Sequence, residues 1–361
     1  MKVGIVGAGS IAFGMAAFLE REGHKATLWS PSGERTKALA AGEPLVAAGA
    51  IDGTFKPAVA ASAEELVAGV EVILIALPAY GHKHVFDRIA PHITPAQTVI
   101  VSSHASFGAL YLSRLLAARG VVVPIIAWGT TLVSGRQTGP AKVQVNTVRQ
   151  SVDLATVPAT RSAEGLATCQ SLFGDRFVDR QSLLAIALSN LNPTIHMGIA
   201  LGNMTRMERG ETWGQAENVT PNVGRLLEEL DRERLAVAMA LGLKVRTIFQ
   251  HVHLSFGVPM GSASKMHQAM HAIGKGGAGP TTADSRYVTE DVPFGLVPTA
   301  KLGRLAGHPA PLHEAGVQLF SAMYGRDFNA ENDLLAALDI DSISLSQLQT
   351  LCRDGYPHLS S

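Results

Sequence analysis

The chain has 361 residues, of which 47% are hydrophobic and 17% charged, a composition typical of a well-buried enzyme with two domains. Its 30 Lys and Arg balance its 30 Asp and Glu, and its apolar runs are short, so neither nucleic acid nor a membrane is an expected partner. Two cysteines are too few for a disulfide framework or a metal knuckle, and an N-terminus that already predicts a strand is not a signal peptide, so we expect a cytoplasmic protein.

Residues 2–29 predict a strand, a Gly-rich turn, a helix and a second strand, in that order. The turn carries a dinucleotide fingerprint, in which Gly7 allows a tight turn and Gly9 lets the backbone approach a pyrophosphate. Ala12 replaces the third glycine and still permits close contact between helix and strand. The pyrophosphate would rest on the N-terminus of the helix. The candidate cofactor-binding residues of this segment are Gly7, Gly9, Ser10, Ile11 and Ala12.

The end of the second strand bears on which nicotinamide cofactor is used. Enzymes for NAD(H) usually place Asp or Glu here, where the carboxylate binds the ribose hydroxyls. Ser30 takes that place in this chain, and Arg35 and Lys37 follow within reach of a 2′-phosphate. The pattern favours NADP(H) over NAD(H), with the alternative that Arg35 and Lys37 are solvated charges at the start of the next helix.

Further strands complete the predicted cofactor domain. Residues 70–77 and 98–102 are buried-looking strands, and residues 125–158 form a β-rich segment. Ligands of doubly wound sheets lie outside the carboxyl ends of the strands, so Pro78 is a candidate cofactor contact. His82, His84 and His104 follow the same strands, but histidines in such loops are more often surface or packing residues than catalysts. We therefore predict an α/β Rossmann-type, doubly wound N-terminal domain over residues 1–178.

From about residue 180 the pattern becomes helical. The clearest helix opens at Thr220 and Pro221, because Thr is a good N-cap and Pro suits the first helical position. Glu228 and Arg232 on this helix predict a solvated i,i+4 pair. Residues 274–282 are rich in glycine and predict a flexible loop. We predict an all-α C-terminal domain over residues 179–361, whose Ala-rich helices are compatible with a homodimer.

Two polar segments of this half carry groups suited to the reduction of a keto acid or its imine. The first contains His196, which can carry a proton, and the second contains Asp291, which can orient the imidazole. Arg286 presents a guanidinium fork that can bind a carboxylate. Asn192 lies four residues before His196, so on a helix the two share a face and Asn192 is a candidate contact for substrate or nicotinamide.

Over nearly its full length the chain resembles the opine dehydrogenases of the octopine/nopaline group. The matching motifs are Gly7-Ala8-Gly9, Asn190-Leu191-Asn192 with His196, Thr220-Pro221-Asn222-Val223-Gly224, Arg286-Tyr287, Glu290-Asp291-Val292 and Gly295-Leu296-Val297-Pro298. The resemblance implies a Rossmann domain followed by a helical domain. It also implies a reaction in which the amine of an L-amino acid joins a 2-oxo acid and NAD(P)H reduces the resulting imine.

The resemblance also implies roles for single residues. It implies that His196 is the general acid/base and that Asp291 is the carboxylate that orients it. It also implies that Arg286 binds the carboxylate of the 2-oxo acid. Glu290 is adjacent to Asp291, so the two carboxylates would point apart and Glu290 would cap a helix or pair with an Arg. The remaining candidate substrate contacts are Thr130, Thr131 and Trp213.

Two other functions are compatible with parts of the sequence. One is a 2-hydroxyacid or ketopantoate type of dehydrogenase that reduces a keto acid without an amine, although many such enzymes use a Lys as proton donor and residues 190–196 contain none. The other is a dinucleotide-binding regulator without turnover, which would not need an acid/base pair. No metal is expected, because the histidines lack ligand spacing with Cys or carboxylates.

Overall fold

The structure, a computed structural model, describes residues 1–103 and 106–357. The chain folds as two compact units, one formed by Met1–Ala187 with the C-terminal segment from Ser346, the other by Leu188–Leu345. This division differs from the predicted domain bounds of 1–178 and 179–361. The C-terminal segment returns to the first unit, where the backbone N–H of Tyr356 donates to Ser113 Oγ at 3.0 Å.

Among the described residues, the named strands lie in the first unit. In chain order these are β1 (Lys2–Val6), β2 (Lys25–Trp29), β3 (Leu45–Gly49), β4 (Gly53–Phe55), β5 (Ala58–Val59), β6 (Val72–Ile75), β7 (Thr98–Val101), β8 (Ile125–Trp128), β9 (Val133–Gly139), β10 (Lys142–Val148), β11 (Val152–Val157) and β12 (Phe177–Asp179). Its helices are α1 (Ser10–Arg21), α2 (Lys37–Ala40), α3 (Ala63–Ala68), α4 (His82–Ile89), α5 (Gly108–Ala117) and α6 (Ser162–Phe173). Helix α7 (Leu183–Ser189) leads into the second unit.

The main sheet positions the cofactor turn. Among the described residues it has eight strands in the order β12-β11-β8-β7-β6-β1-β2-β5. All neighbours are parallel except β8 and β11. In this register Val6 lies opposite both Trp29 and Ile75, so three parallel strands end at one edge of the sheet. The predicted doubly wound α/β domain is confirmed.

A second sheet covers the other side of α1 and is not foreseen by the sequence pattern. It pairs strands in the order β4-β3-β10-β9, with β3 and β10 parallel. Helix α1 contacts strands of both sheets, and every residue from Ala12 to Leu19 is buried. Gly14 makes the close approach possible, because a Cβ there would lie 3.1 Å from Val133 Cγ2.

The second unit is helical, apart from an isolated bridge between Gly214 and Ala278 within the described residues. Its helices are α8 (Asn192–Glu208), α9 (Pro221–Ala240), α10 (Ile248–Phe256), α11 (Ala263–Ala272), α12 (Arg286–Thr289), α13 (Val297–Leu305), α14 (Pro311–Tyr324), α15 (Asp333–Ala337) and α16 (Leu345–Asp354), the last of which returns to the first unit. One turn of π-helix, Val292–Leu296, joins α12 to α13. The predicted all-α domain is confirmed.

Helix α9 matches the predicted helix but uses its charged residues differently. Thr220 precedes it without a side-chain capping bond. Glu228 accepts the backbone N–H of Ala263 at 2.7 Å, and Arg232 pairs with Glu229, so the predicted Glu228–Arg232 pair is wrong. The Glu228 carboxylate therefore binds the start of α11, where the first N–H groups of a helix lack intrahelical acceptors.

A buried ion pair anchors α9 within the second unit. Arg234 and Asp231 are each 1% exposed, and Arg234 Nη2 lies 2.6 Å from Asp231 Oδ1. Arg234 also donates to the carbonyls of Leu188 and Arg246, and Asp231 Oδ2 accepts the N–H of Ile248. The pair therefore ties α9 to the end of α7 and the start of α10.

One stretch of the chain is apolar enough to resemble a membrane span by length and composition. Leu183–Glu208 contains an 18-residue window of mean hydropathy 1.2, of which 72% is buried inside the protein. Burial to this extent is that of a core helix in a folded domain.

Candidate active site

The fingerprint turn accepts only glycine at its first position. Gly7 has φ +132°, and a Cβ there would lie 2.4 Å from the carbonyl oxygen of Ala76. Its N–H donates to the carbonyl of Trp29 at 2.8 Å. The turn is thus pinned between the ends of β2 and β6, as a dinucleotide-binding loop requires.

The N-terminus of α1 is suited to a pyrophosphate. Gly9 is the N-cap residue and provides no capping side chain, while the first intrahelical bond runs from Phe13 N–H to Gly9 O at 3.0 Å. The N–H groups of Ser10, Ile11 and Ala12 precede that bond, so they point out of the helix toward a ligand. These residues fit the phosphates of a dinucleotide cofactor.

The turn after β2 carries the candidate groups for discrimination between NADP(H) and NAD(H). Ser30 Oγ is buried and has no hydrogen-bond partner in the described part of the chain. Arg35 is exposed, and its Nη1 lies 3.9 Å from the position of a Cβ on Gly9, so the guanidinium lies beside the fingerprint turn. Lys37 instead pairs with Glu34 at 2.7 Å.

The loop after β6 contains a candidate contact and a structural histidine. Pro78 is half-buried and leads into a 3₁₀ turn, Ala79–Gly81. His82 is fully buried, its Nε2 lies 3.0 Å from the carbonyl of Leu77, and its ring packs on Phe86. His84 is exposed, and His104 lies outside the described residues.

Thr130 and Thr131 directly follow β8, and both are half-buried. The carbonyl of Thr131 accepts a hydrogen bond from Arg149 Nε at 2.9 Å. Burial lowers the pKa of the Arg149 guanidinium. Arg149 is a polar residue of this edge that no motif in the sequence singles out.

In the second unit, the structure brings His196 and Asp291 together. His196 lies one turn into α8, and its Nδ1 is 2.7 Å from Asp291 Oδ2. The His196 and Asp291 side chains are 17% and 15% exposed, so the pair is shielded but still reachable from solvent. Because a carboxylate accepts, Nδ1 carries the hydrogen in the neutral ring and Nε2 is the acceptor.

The π-helical turn fixes Asp291 against α8. Pro193, in the first turn of α8, packs on Gly295, where a Cβ would lie 2.2 Å from Pro193 Cγ. Asn332 Nδ2 donates to the carbonyl of Pro293 at 2.7 Å from the other side. Contacts on two sides therefore hold this π-helical turn. The turn in this way places the Asp291 carboxylate next to the His196 imidazole.

Tyr287 covers one face of the His196 ring. The ring centroids are 3.6 Å apart and the planes differ by 6°. The Tyr287 hydroxyl donates to Gln215 Oε1 at 2.7 Å. Burial, and then the charge of Asp291, raises the pKa of Tyr287, so the phenol stays neutral. Tyr287 belongs to a motif visible in the sequence, whereas nothing in the sequence signals Gln215.

Arg286 forms an ion pair within its own segment. Its Nε is ion-paired with Glu290 one turn later, its side chain is 65% exposed, and that of Glu290 is 12% exposed. Glu290 and Asp291 point to different partners, as expected for adjacent residues. Asn192 opens α8 and is exposed, with its N–H donating to Asn190 Oδ1 at 3.1 Å.

Trp213 anchors the Gly-rich loop of residues 274–282. It is 5% exposed, and its Nε1 donates to the carbonyl of Pro280 at 2.9 Å. Residues 276–279, predicted to be flexible, pair with the segment around Trp213. Gln215 N–H donates to Gly277 O at 3.0 Å, Ala216 N–H to Gly276 O at 3.1 Å and Gly279 N–H to Trp213 O at 2.9 Å. The N–H of Trp213 is therefore satisfied within the protein, and a contact between its ring and a substrate stays a prediction.

Within residues 1–103 and 106–357, no group of three or more His, Cys, Asp or Glu side chains could hold a metal ion. Both cysteines are buried, and burial raises the pKa of the Cys169 thiol to about 12. A buried thiol with a raised pKa is not a nucleophile at neutral pH. His196 and Asp291 stay the candidate acid–base pair of the second unit.

Comparison with known proteins defines the class. Residues 179–324 match the family described as NAD/NADP octopine/nopaline dehydrogenase, alpha-helical domain. Residues 3–158 match the family of ketopantoate reductase PanE/ApbA. A nicotinamide-dinucleotide domain followed by a helical domain with a His–Asp pair makes this protein an NAD(P)-dependent oxidoreductase acting on a CH–NH group.

The full-length relatives define the family. The opine dehydrogenase of Arthrobacter sp. (strain 1C) is 30% identical over 96% of this chain and 97% of its own length. This chain belongs to the opine dehydrogenase family. Octopine dehydrogenase in complex with NADH and L-arginine has the same fold, with a TM-score of 0.79 at 18% identity over 99% of this chain and 100% of that one. Yersinopine dehydrogenase bound to NADP⁺ superposes with a TM-score of 0.74 at 16% identity over 97% of this chain and 99% of that one.

These comparisons confirm the predicted family, the predicted fold class and the prediction of a nicotinamide-dependent enzyme. A regulator without turnover is not retained as an alternative.

Proposed function

We propose that this enzyme joins the amine of an L-amino acid to a 2-oxo acid and reduces the resulting imine with NADPH. The observation that carries the proposal is the 2.7 Å bond between His196 Nδ1 and Asp291 Oδ2. Overall, one amino acid, one 2-oxo acid, one reduced cofactor and one proton give the secondary amine, the oxidised cofactor and water. The nicotinamide, when bound, supplies the hydride that adds to the carbon of the C=N bond.

His196 supports the proton transfers of the condensation. Its Nε2 takes a proton from the substrate ammonium, which frees the amine to attack the carbonyl carbon. After the C–N bond forms, the nitrogen passes one of its two protons to the former carbonyl oxygen. The imidazolium then returns its proton to the same oxygen, which leaves as water, and a protonated imine remains. Asp291 keeps the hydrogen on Nδ1 and stabilises the charged ring while it holds the extra proton.

Arg286 is the proposed partner for the carboxylate of the 2-oxo acid. It lies on α12 next to the stacked Tyr287 and pairs with Glu290, and a side chain that is 65% exposed leaves the guanidinium accessible to a ligand. A guanidinium can bind a carboxylate through two parallel hydrogen bonds, which fixes its orientation. Thr130 and Thr131, which are half-buried after the end of β8, are proposed as further substrate contacts. Asn192, which is exposed at the start of α8, is proposed as another.

The preference for NADPH rests on the turn after β2. Ser30 places a hydroxyl where an acidic residue would repel a 2′-phosphate, and Arg35 lies beside Gly9 of the fingerprint. The proposed cofactor contacts also include Gly7, Ser10, Ile11, Ala12 and Pro78. Location in the cytoplasm and a homodimer stay predictions.

The test is oxidation of NADPH and of NADH in the presence of pyruvate, 2-oxoglutarate or oxaloacetate, each with and without pooled L-amino acids. Oxidation that requires both substrates supports the proposal, and splitting the pool identifies the amine. In the same assay, His196→Ala should abolish turnover while cofactor binding persists. Near-normal turnover of His196→Ala would exclude the mechanism.

A second candidate is reduction of a keto acid without an amine, favoured by the match of residues 3–158 to the ketopantoate reductases. Oxidation of the cofactor with the keto acid alone would support it.

A further inference from the structure

We propose that Tyr287 is a positioning residue that fixes the plane of the His196 ring and stabilises its protonated form. Its catalytic consequence rests on the function proposed above, whereas its effect on the imidazole does not. The two rings are nearly parallel, with centroids 3.6 Å apart and planes 6° from each other. This separation is shorter than the usual range for neighbouring aromatic rings.

The geometry of the stack favours a charged imidazole over a neutral one. Two neutral rings prefer offset or edge-to-face arrangements, because directly superposed faces repel one another. A cation over the face of a tyrosine is attracted by the negative charge of the ring face. A near face-to-face arrangement of His196 on Tyr287 is therefore most favourable when His196 carries a proton.

The tyrosine ring is held from both ends. Its hydroxyl donates to Gln215 Oε1 at 2.7 Å, and the backbone N–H of Gln215 donates to Gly277 O at 3.0 Å. At the backbone of Tyr287, Ser285 Oγ accepts the N–H at 3.3 Å as the cap of α12. The ring is therefore fixed by contacts in three separate segments. The Gly-rich loop acts here through Gln215 as a support for the stack.

Asp291 is the charged side chain that contacts His196. From the π-helical side the His196 ring faces Asp291, and from α12 it faces the neutral phenol of Tyr287. Helix α9, which also packs on α8, contributes the apolar side chains of Leu227 and Val223 against Gly198 and Gly202.

The remaining charges on α12 and its C-terminal end, Arg286 and Glu290, are paired with each other. Asp291 and Tyr287 both contact the His196 ring, so removal of either should change its proton affinity.

The direct test is an NMR titration of the His196 ring in protein with ¹⁵N-labelled histidine, with the resonance assigned by its loss in His196→Gln. In Tyr287→Leu the stack is lost and the pKa of His196 should fall by about half a unit to one unit. Tyr287→Phe keeps the ring and should retain most of that pKa. An unchanged His196 pKa in Tyr287→Leu would overturn the proposal.

A matched control is Tyr324→Phe. Tyr324 also donates its hydroxyl at 2.7 Å, to the carbonyl of Ala283, but its ring does not lie on His196. This variant should leave the His196 titration unchanged, and a shift as large as that of Tyr287→Leu would overturn the proposal.

If Tyr287→Leu does not fold, Gln215→Leu keeps the ring and removes its anchor. Gln215→Leu should then broaden or shift the ring ¹⁵N resonances, and an unaltered spectrum would contradict the role of the anchor.

The enzymatic readout separates this proposal from the reaction itself. With active substrates, the limb of the kcat/KM profile that reports His196 should move to lower pH in Tyr287→Leu by the same amount as the NMR titration. An altered NMR titration in a protein that forms no opine would retain the role of Tyr287 and reject the proposed function. Opine formation with an unaltered titration would retain the proposed function and reject the role of Tyr287.

Discussion

Removing the Asp291 carboxylate should weaken catalysis without weakening cofactor binding. The bond to His196 Nδ1 is 2.7 Å long and joins side chains that are only 17% and 15% exposed. A hydrogen bond to a charged group in such a setting contributes about 1.5–3 kcal/mol. If that contribution is made when the ring is charged in the transition state, Asp291→Ala should lower kcat/KM by about 10- to 150-fold.

The matched variant Asp291→Asn separates charge from hydrogen bonding. Asn keeps an oxygen that can accept from Nδ1 but loses the negative charge, so its loss of kcat/KM should be smaller than that of Asp291→Ala. The assay is steady-state oxidation of the reduced cofactor with a substrate pair that supports turnover, together with cofactor Kd by fluorescence. Asp291→Ala with kcat/KM within about threefold of wild type would refute the assigned role.

A second His–carboxylate pair in the same unit provides the control. Glu233 Oε2 lies 2.9 Å from His313 Nδ1, in a location where His313 is 1% exposed. Glu233 also accepts the N–H groups of Leu312 and His313 at the start of α14. Glu233→Gln should therefore lower stability and leave kcat per folded molecule unchanged, because the pair serves a helix end.

Three further outcomes are expected. Ser30→Asp should shift the ratio of kcat/KM for NADPH and NADH toward NADH, and an unchanged ratio would show that the turn after β2 does not discriminate. Burial alone would raise the pKa of Glu233, but bonds from His313 and two backbone N–H groups outweigh it and lower that pKa. Stability from this group is therefore present above its unfolded pKa and lost as pH falls through the folded value, so acid unfolding of wild type and Glu233→Gln should converge at low pH. Asp231→Ala leaves Arg234 buried without its carboxylate and should cost about 3–5 kcal/mol in urea unfolding, and a loss below about 1 kcal/mol would contradict the anchoring role of the pair.

The sequence predicts those features that depend on short-range patterns. The strand, turn, helix and strand predicted for residues 2–29 are found as β1, the Gly-rich turn, α1 and β2, and β8 to β11 lie within the predicted β-rich segment 125–158. The tight turn at Gly7 is predictable for the same reason, because a fixed spacing of glycines encodes one backbone geometry.

Long-range pairing is not visible in the same way. Strand β3, with the sequence LVAAG, pairs in parallel with β10 far along the chain, and its small side chains show no clear alternation. The sequence predicts α1 itself but not its cover by a sheet on each side, which makes the helix apolar all round rather than amphipathic.

The candidate site shows the same division. The identity of His196, Asp291 and Arg286 is predicted from residue types and motif resemblance. Their partners are set by the fold, since Arg286 pairs with Glu290 and Tyr287 covers the imidazole. A glycine-rich segment predicts flexibility from composition, yet three backbone bonds to residues 213–216 hold it, and composition contains no information about such bonds.

Because α16 returns to the first unit, the second unit is an insertion within the sequence of the first. The inserted segment is the continuous run Leu188–Leu345, and the sequence of the first unit is interrupted by it. The first unit cannot be obtained by simple truncation, because a fragment ending at residue 187 lacks Leu348 and Cys352, which are both fully buried. A separate cofactor unit requires residue 187 to be spliced to residue 346, whereas the helical unit can be excised as one piece. Loss of the C-terminal segment should therefore damage the unit that holds the cofactor turn, although the two are far apart in sequence.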